Sequence, residues 1–404
     1  MAYGTTDIRN IALVGHAAAG KTTLIEALLA AAGRIPAAGD VAKGNTVCDF
    51  DPLEREKGHS LDAALVSFDW HDCHINLLDT PGAPDYLGKA VATLPAVETA
   101  AVVVSARDGI EAVTTRMMTR AAERGLCRLI IVNRIDTEDA DLEALLHELQ
   151  QTFGRECLPL NLPADNAAKV VDCFFNPSGD SDFSSVAEAH RALIDQVVEV
   201  NEELMKLYLE QGDELAPEQL HAPFEQALRE GHLIPVCFVS ARTGAGVTEL
   251  LDVITRLAPN PTEGNPPQCL IGEGEDARPY AVTPDPDRHA VAHVFKVMFD
   301  PFLGKLALFR IHQGMITKDS QLYVGDGRKP FKVGHLFKVQ GGKHEEVNEG
   351  IAGDICAVAK VDEITYDAIL HDSHDEDNFH LKPLDFPQPM YGLAVQPQSR
   401  GQEQ

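Results

Sequence analysis

The octapeptide GHAAAGKT, Gly15 to Thr22, constrains this chain more than any other stretch. It satisfies GxxxxGK[ST] and follows the short apolar run NIALVG, Asn10 to Gly15. After it comes KTTLIEALLAAAG, Lys21 to Gly33, with helical spacing and a glycine stop. Strand, glycine-rich loop and helix together let backbone N–H groups curl around a β-phosphate while the helix N-terminus adds positive potential. In such a loop Lys21 reaches the β- and γ-oxygens and the Thr22 hydroxyl ligates Mg²⁺. Gly15, His16, Ala17, Ala18, Ala19, Gly20 and Thr23 complete the expected contact set. Taken alone, the motif leaves open a glycine-rich turn without a ligand. For His16, a structural hydrogen bond competes with a chemical role.

The pattern around this loop predicts a mostly parallel sheet. Further strand candidates are AALVSFDW, HINLLDTPG, TAAVVVSARDG, RLIIVNRID and IPVCFVSA, most of them separated by helical stretches such as AVTTRMMTRAAERG and VTELLDVITRL. DWHDCH, Asp69 to His74, is too short for a crossover, so the first two of these strands should form an antiparallel hairpin. Between VNRID and CFVSA the chain is far longer than one connection requires, which predicts an inserted α/β subdomain at about 157–234. Within it, residues 185–212 carry one long acidic amphipathic helical pattern. A stretch rich in Pro, Gly and charge, 263–288, reads as a linker. Period-two strands with glycine turns then predict an antiparallel β-barrel over 289–385. The expected organisation is thus a P-loop domain over 1–262 with helices on both faces of its sheet, the barrel, and the start of a further domain at 386–404.

Two further motifs follow strands, in an order that gives them weight. DTPG, Asp79 to Gly82, places a carboxylate where it reaches Mg²⁺ through water and the Gly82 amide where it meets a γ-phosphate. A Pro-Gly turn is its bland alternative. NRID, Asn133 to Asp136, puts a carboxylate where it accepts from both N1–H and the exocyclic amine of guanine, an arrangement adenine cannot match. The Arg134 stem can cover the base, and the backbone of Ser240, Ala241 and Arg242 can contact the guanine carbonyl. HDSHDEDNFH, His371 to His380, has ligand-type residues without metal spacing and reads as a solvated acidic loop.

Composition narrows the partners. The formal charge of -28 argues against broad wrapping of nucleic acid, and no sequence-specific DNA binding is expected. Eight scattered cysteines without a CxxC pair fit reduced thiols in a cytoplasm. No apolar window approaches the ~18 residues of a membrane span.

On these motifs the chain resembles the translational GTPases, specifically bacterial elongation factor G. DFDPLEREKGHS (Asp49 to Ser60) is similar to the family's first switch, and NEELMKLYLEQGDEL to its inserted subdomain. DPFLGKLALFRIHQG and EGIAGDICAVAKV resemble its second domain, and FPQPMYGLAVQP the first strand of its third. The resemblance implies GTP and GDP with Mg²⁺, a ribosomal partner, and a metal set of Thr22, Ser60 and Asp79. It also implies hydrolysis aided by Lys21 and Gly82, and remaining domains that make this chain a part of a longer protein.

Three departures fall on one site: Ala18 stands where the family has Asp, Ser60 where it has Thr, and Ala83 where it has His. They bring the chain closest to the elongation factor G-like paralogues. The expected function is a translation-factor-like switch hydrolysing GTP slowly or only when stimulated. A GTP-binding interaction module without turnover is the alternative, and a P-loop ATPase or small-molecule kinase is a further one. Adenine would leave the Asp136 carboxylate unpaired, a loss on the order of 2–4 kcal/mol. Titration calorimetry should therefore find GDP bound far more tightly than ADP, and Asp136→Asn should abolish the preference. Equal affinities in the parent chain would refute the guanine assignment.

Overall fold

The computed structural model describes residues 3–211, 217–272, 274–376, 378–389 and 391–397. Its first layer is built from β1 (Ile8–Val14), β2 (Ala64–Trp70), β3 (Cys73–Asp79), β4 (Thr99–Ser105), β5 (Cys127–Asn133), β6 (Cys157–Pro159) and, after a short hairpin of β7 (Asn161–Ala164) and β8 (Lys169–Asp172), β9 (Ile234–Phe238). The sheet order is β2-β3-β1-β4-β5-β9-β6. All its pairs are parallel except β2 with β3, which meet at Trp70 and Cys73 across a two-residue turn, as expected from DWHDCH. His71 in that turn takes a left-handed φ of 50°. Every residue of β1 and β4 is buried, which requires the near-continuous Ile, Val, Leu and Ala runs seen in the sequence.

Helices α1 (Lys21–Ala31), α2 (Pro52–Lys57), α3 (Leu87–Val91), α4 (Ala112–Glu123), α5 (Leu142–Phe153), α6 (Val186–Val198), α7 (Glu202–Gln211), α8 (Pro217–Glu230) and α9 (Val247–Leu257) accompany the sheet. Because β1 lies between β3 and β4, the chain leaves it first toward one edge and later toward the other. The crevice at the carboxyl end of β1 is therefore the topological switch point, where open α/β sheets bind ligands.

After α9 come β10 (Cys269–Ile271), β11 (Arg278–Tyr280), β12 (Val291–Asp300), β13 (Gly304–Gln313), β14 (Met315–Thr317), β15 (Gln321–Val324), β16 (Phe331–Lys332), β17 (Leu336–Gln340), β18 (Lys343–Val347), β19 (Glu349–Ile351), β20 (Ile355–Ala359), β21 (Ile369–His371) and β22 (Phe379–Leu381). Eight of these make an antiparallel half-barrel in the order β16-β15-β21-β12-β13-β20-β17-β18. It closes on its own core, which includes Val294, Phe309, Leu336 and Leu370. All eight cysteines are free thiols. Among the described residues, no helix is long and apolar enough to cross a membrane.

Several expectations are corrected. The single helix over 185–212 is two, because the Asn201 side chain accepts from Glu203 N at 3.0 Å and Leu204 N at 2.9 Å and starts a new N-terminus. Gly212 lies outside the described residues. The stretch read as a linker contains β10 and β11, and β10 pairs with both β11 and β22 in a three-stranded sheet; β22 lies too far along the chain for local pattern to reveal it. The described residues of 386–397 form no strand, and 398–404 lie outside them. In the HDSHDEDNFH stretch, His371 is buried in β21, with its ring nitrogens at 2.7 Å from Ser373 O and Gly325 O. Only part of that stretch is an exposed loop.

A buried ion pair joins the two layers. Arg310 of β13 donates to Glu98 Oε1 at 2.7 Å and to Ala96 O at 3.1 Å. Glu98 Oε2 in turn accepts from Asn10 Nδ2 of β1 at 2.9 Å. Asn10 also donates to Gly353 O at 3.0 Å, where a side chain on Gly353 would strike Pro261 and Ile8. Glu98→Ala would strand a guanidinium whose side chain is 3% exposed. Such truncations cost about 3–5 kcal/mol. Urea unfolding followed by barrel-specific probes should show a loss of that order, and a change under about 1 kcal/mol would show the pair to be dispensable.

Candidate nucleotide site

The phosphate loop runs from the end of β1 into α1, and Gly20 caps that helix with a left-handed φ of 88°. Lys21 is buried and donates to Gly15 O at 2.9 Å and His16 O at 2.8 Å. Burial pushes its ammonium pKa down, against the opposing pull of Asp79 and Glu111. Thr22 donates to Asp79 Oδ2 at 2.6 Å, so the end of β3 reaches the start of α1. Asp79 is fully buried, and desolvation raises its carboxyl pKa despite the Thr22 hydrogen bond and the Lys21 charge. The Ala17 amide donates to Gly82 O at 2.9 Å, and a side chain on Gly82 would collide with Lys21 and Ala17. The two loops thus touch, and the pocket between them measures about 230 Å³. Ala17, Ala18, Gly20, Lys21, Thr22, Thr23, Ser60, Gly82, Ala83 and Arg134 line it. A larger cleft of about 1330 Å³, between the 45–64 segment and the β12–β13 hairpin, contains no phosphate-loop residue.

The base-side loops converge on the same end of the sheet. Asn133 donates to Ala19 O at 3.1 Å and accepts from Arg134 N at 2.8 Å and Ala241 N at 3.1 Å. Asp136 accepts from Ser240 Oγ at 2.6 Å and pairs with Arg242. Burial alone would raise the Asp136 pKa; the Ser240 hydroxyl and the Arg242 guanidinium overcome it and hold the carboxyl below its usual value. Phosphate loop, DTPG, NRID and SAR are therefore one constellation at the switch point.

The family model for the Elongation factor Tu GTP binding domain matches residues 6–260, and that for Elongation factor G domain 2 matches residues 289–367. The chain belongs to the translational GTPase family. The Elongation factor G-like protein of Mycobacterium tuberculosis, from strains CDC 1551 / Oshkosh and ATCC 25618 / H37Rv, is 31% identical over 423 aligned residues, which cover 98% of this chain and 58% of the relative. A crystal structure of a protein from Thermus thermophilus superposes with a TM-score of 0.79 at 30% identity, covering 94% of this chain and 57% of that one. The chain spans less than two thirds of the length of these relatives.

In this member of the family the segment similar to the first switch is tied down by acidic side chains whose roles the motifs did not single out. Asp49 accepts from Ser60 Oγ at 2.9 Å and from Thr46 Oγ1 at 3.0 Å. Glu54 accepts from Leu61 N and Asp62 N, and buried Glu26 of α1 accepts from Gly39 N and Val47 N. The run DFDPLEREKGHS pointed to Asp49 and Glu54 only as a segment, and nothing in sequence pointed to Glu26. His16 Nε2 lies 3.2 Å from Glu111 Oε1, another partner with no sequence signal.

Mg²⁺ fits the oxygen donors present. Ser60 Oγ lies 3.3 Å from Thr22 Oγ1, and Asp79 Oδ1 is buried without a hydrogen-bond partner. Hard hydroxyl and carboxylate oxygens are the donors Mg²⁺ prefers. On the base side, Arg242 pairs with the carboxylate that would receive guanine. Its side chain is 78% exposed, so the pair is worth at most about 1 kcal/mol. Arg242→Ala should therefore tighten GDP binding by up to ~5-fold at low salt and by nothing at high salt. Weakened binding in the variant would mean that Arg242 contacts the nucleotide instead of competing with it.

Proposed function

We propose that this chain is the GTP-dependent switch portion of a ribosome-associated translation factor, hydrolysing GTP slowly or only when stimulated. In this reading residues 1–262 form the nucleotide-binding unit, with its insert at about 157–234. Residues 263–288 connect it to the barrel at 289–385, and 386–404 begin a further domain. Lys21 and the loop amides hold the β- and γ-phosphates, while Thr22, Ser60 and Asp79 hold Mg²⁺. When bound, the metal neutralises charge on the phosphate oxygens. Seating a γ-phosphate displaces Gly82 O from the Ala17 amide, which frees that amide for phosphate and moves the DTPG loop.

The observation that carries the reading is Ala83. It lines the pocket beside Gly82 and Lys21 and presents a methyl group, which neither donates nor accepts a hydrogen bond. Positioning of water by a polar group at such a place is worth ~10²–10⁴ in rate. The same observation favours the second reading, a GTP-binding interaction module without turnover. His59 is the imidazole lining the same pocket; it is exposed, next to Ser60, with its ring 6.3 Å from that of Tyr86.

Single-turnover hydrolysis of GTP, with and without ribosomes, tests the proposal. Binding should be normal, intrinsic turnover very slow, and Ala83→His should raise it. Ribosome-stimulated turnover that falls at least ~10-fold in His59→Ala would assign the missing role to His59. Fast intrinsic turnover unaffected by either substitution would refute the reading, and no turnover under any condition would leave the interaction module.

A further inference from the structure

Away from the nucleotide site, α8 places His221 and Glu225 one turn apart, with His221 Nε2 2.8 Å from Glu225 Oε1. The chain returns beside them after α9 and adds Glu263, a carboxylate oxygen of which lies close to the ligand atoms of both. One donor atom from each side chain lies within 4.8 Å of the other two, the one such grouping among the described residues. We propose that His221, Glu225 and Glu263 form a site for a divalent transition metal of the zinc class, stapling α8 to the connection that follows α9.

The donor set decides the class of ion. One imidazole nitrogen with two carboxylate oxygens suits zinc and its first-row neighbours, whereas Mg²⁺ and Ca²⁺ favour oxygen alone. Zinc bonds of about 2.0–2.2 Å put neighbouring donors about 3.3 Å apart, so donors within 4.8 Å of one another have only to close by about 1.5 Å at most.

The Glu263 side is pre-built. Asn260 N donates to Glu263 Oε2 at 3.0 Å, and the Asn260 side chain accepts from Thr262 N at 2.8 Å and from Thr262 Oγ1 at 2.7 Å. Glu225 is 13% exposed, so two carboxylates meet where water screens them poorly, and a divalent ion neutralises both. Arg9 donates to Thr6 O, Ile8 O and Thr255 O and Arg229 donates to Glu263 O, so neither guanidinium is ion-paired with the cluster. The Arg9 charge nevertheless acts on Glu263 and His221 and opposes part of the attraction for a cation. The net charge of -28 further favours cation uptake.

The test is Zn²⁺ titration of the full 404-residue chain in excess Mg²⁺, read against a chromogenic chelator. Cobalt absorption in the visible serves as a second signature. One equivalent should bind saturably in the parent chain and at least ~10-fold more weakly in His221→Ala and in Glu263→Gln, with the cobalt bands lost in both. His221 is half exposed and alanine is a strong helix former, so the helical circular dichroism should be unchanged. Glu263→Gln supplies the same comparison on the other segment. Equal stoichiometry and affinity in the parent and both variants, or no saturable binding in the parent, would overturn the proposal.

Discussion

The buried amide of Asn133 holds together three loops that the chain supplies from distant places. Its nitrogen donates to Ala19 O and Gly20 O in the phosphate loop, and its oxygen accepts from Ala241 N in the SAR loop and from its neighbour Arg134 N. At 1% exposure the Asn133 amide has no water as an alternative partner, so its loss removes all four bonds at once and leaves at least the buried Ala19 carbonyl unpaired. Gly20 permits the contact, since a side chain there would overlap Asn133 Nδ2. Parallel pairing of β5 with β4 and β9 fixes the position of Asn133 along the sheet. The spacing between phosphate and base subsites therefore follows from sheet register and not from loop length.

The same sheet carries the barrel. Asn10 lies on β1, the strand that ends in the phosphate loop, and it reaches both Glu98 and the Gly353 carbonyl. A second contact route runs through the segment beside the first switch. Gly341 N donates to Leu65 O at 2.7 Å, Ser67 N donates to Gln340 Oε1 at 2.8 Å, and buried Lys296 donates to Ala63 O. Close approach is possible because Gly341 and Gly342 face Val47 and Phe50 without side chains. Any movement of residues 47–67 must therefore break or drag contacts on β12 and β17, while the Glu98–Arg310 pair holds the other side fixed. The barrel is thus tied to the sheet at two separate places, one of them beside the nucleotide pocket.

The parts legible in the sequence are those whose cause is local. GHAAAGKT, the turn in DWHDCH and the helix VTELLDVITRL each carry their own periodicity, cap or glycine, and each forms where expected. The motif loops converge because strand order is constrained once the sheet is parallel. What the sequence hid depends on partners far away. Arg310 meets Glu98 from 212 residues along the chain, and β10 finds β22 across the whole barrel. The break at Asn201 was local yet missed, because apolar spacing continues on both sides and only a side-chain cap interrupts it. The roles of Asp49 and Glu26 were hidden for a further reason: they accept from backbone or hydroxyl groups, and a carboxylate in sequence does not announce which donor it will meet.

The three departures from the family act on different kinds of atom. Ala18 takes a left-handed φ of 62°, a conformation that costs alanine about 1 kcal/mol and that Asp tolerates better, yet the loop keeps its path through backbone contacts such as Ala19 N to His16 O. Ser60 retains the hydroxyl and meets both Asp49 and Thr22. Ala83 retains the backbone, with an extended φ of -73°, and loses every side-chain atom capable of a hydrogen bond. Holding a phosphate depends mainly on backbone amides, a lysine and a helix terminus, all of which this loop has. In the proposed reading, orienting the attacking water needs a hydrogen-bonding side chain beside Gly82, and Ala83 offers none. In that reading binding and turnover rest on separable groups, and Ala83 bears on the second alone. That is the physical basis for proposing a switch that holds GTP and waits for its catalytic group to come from His59 or from a partner.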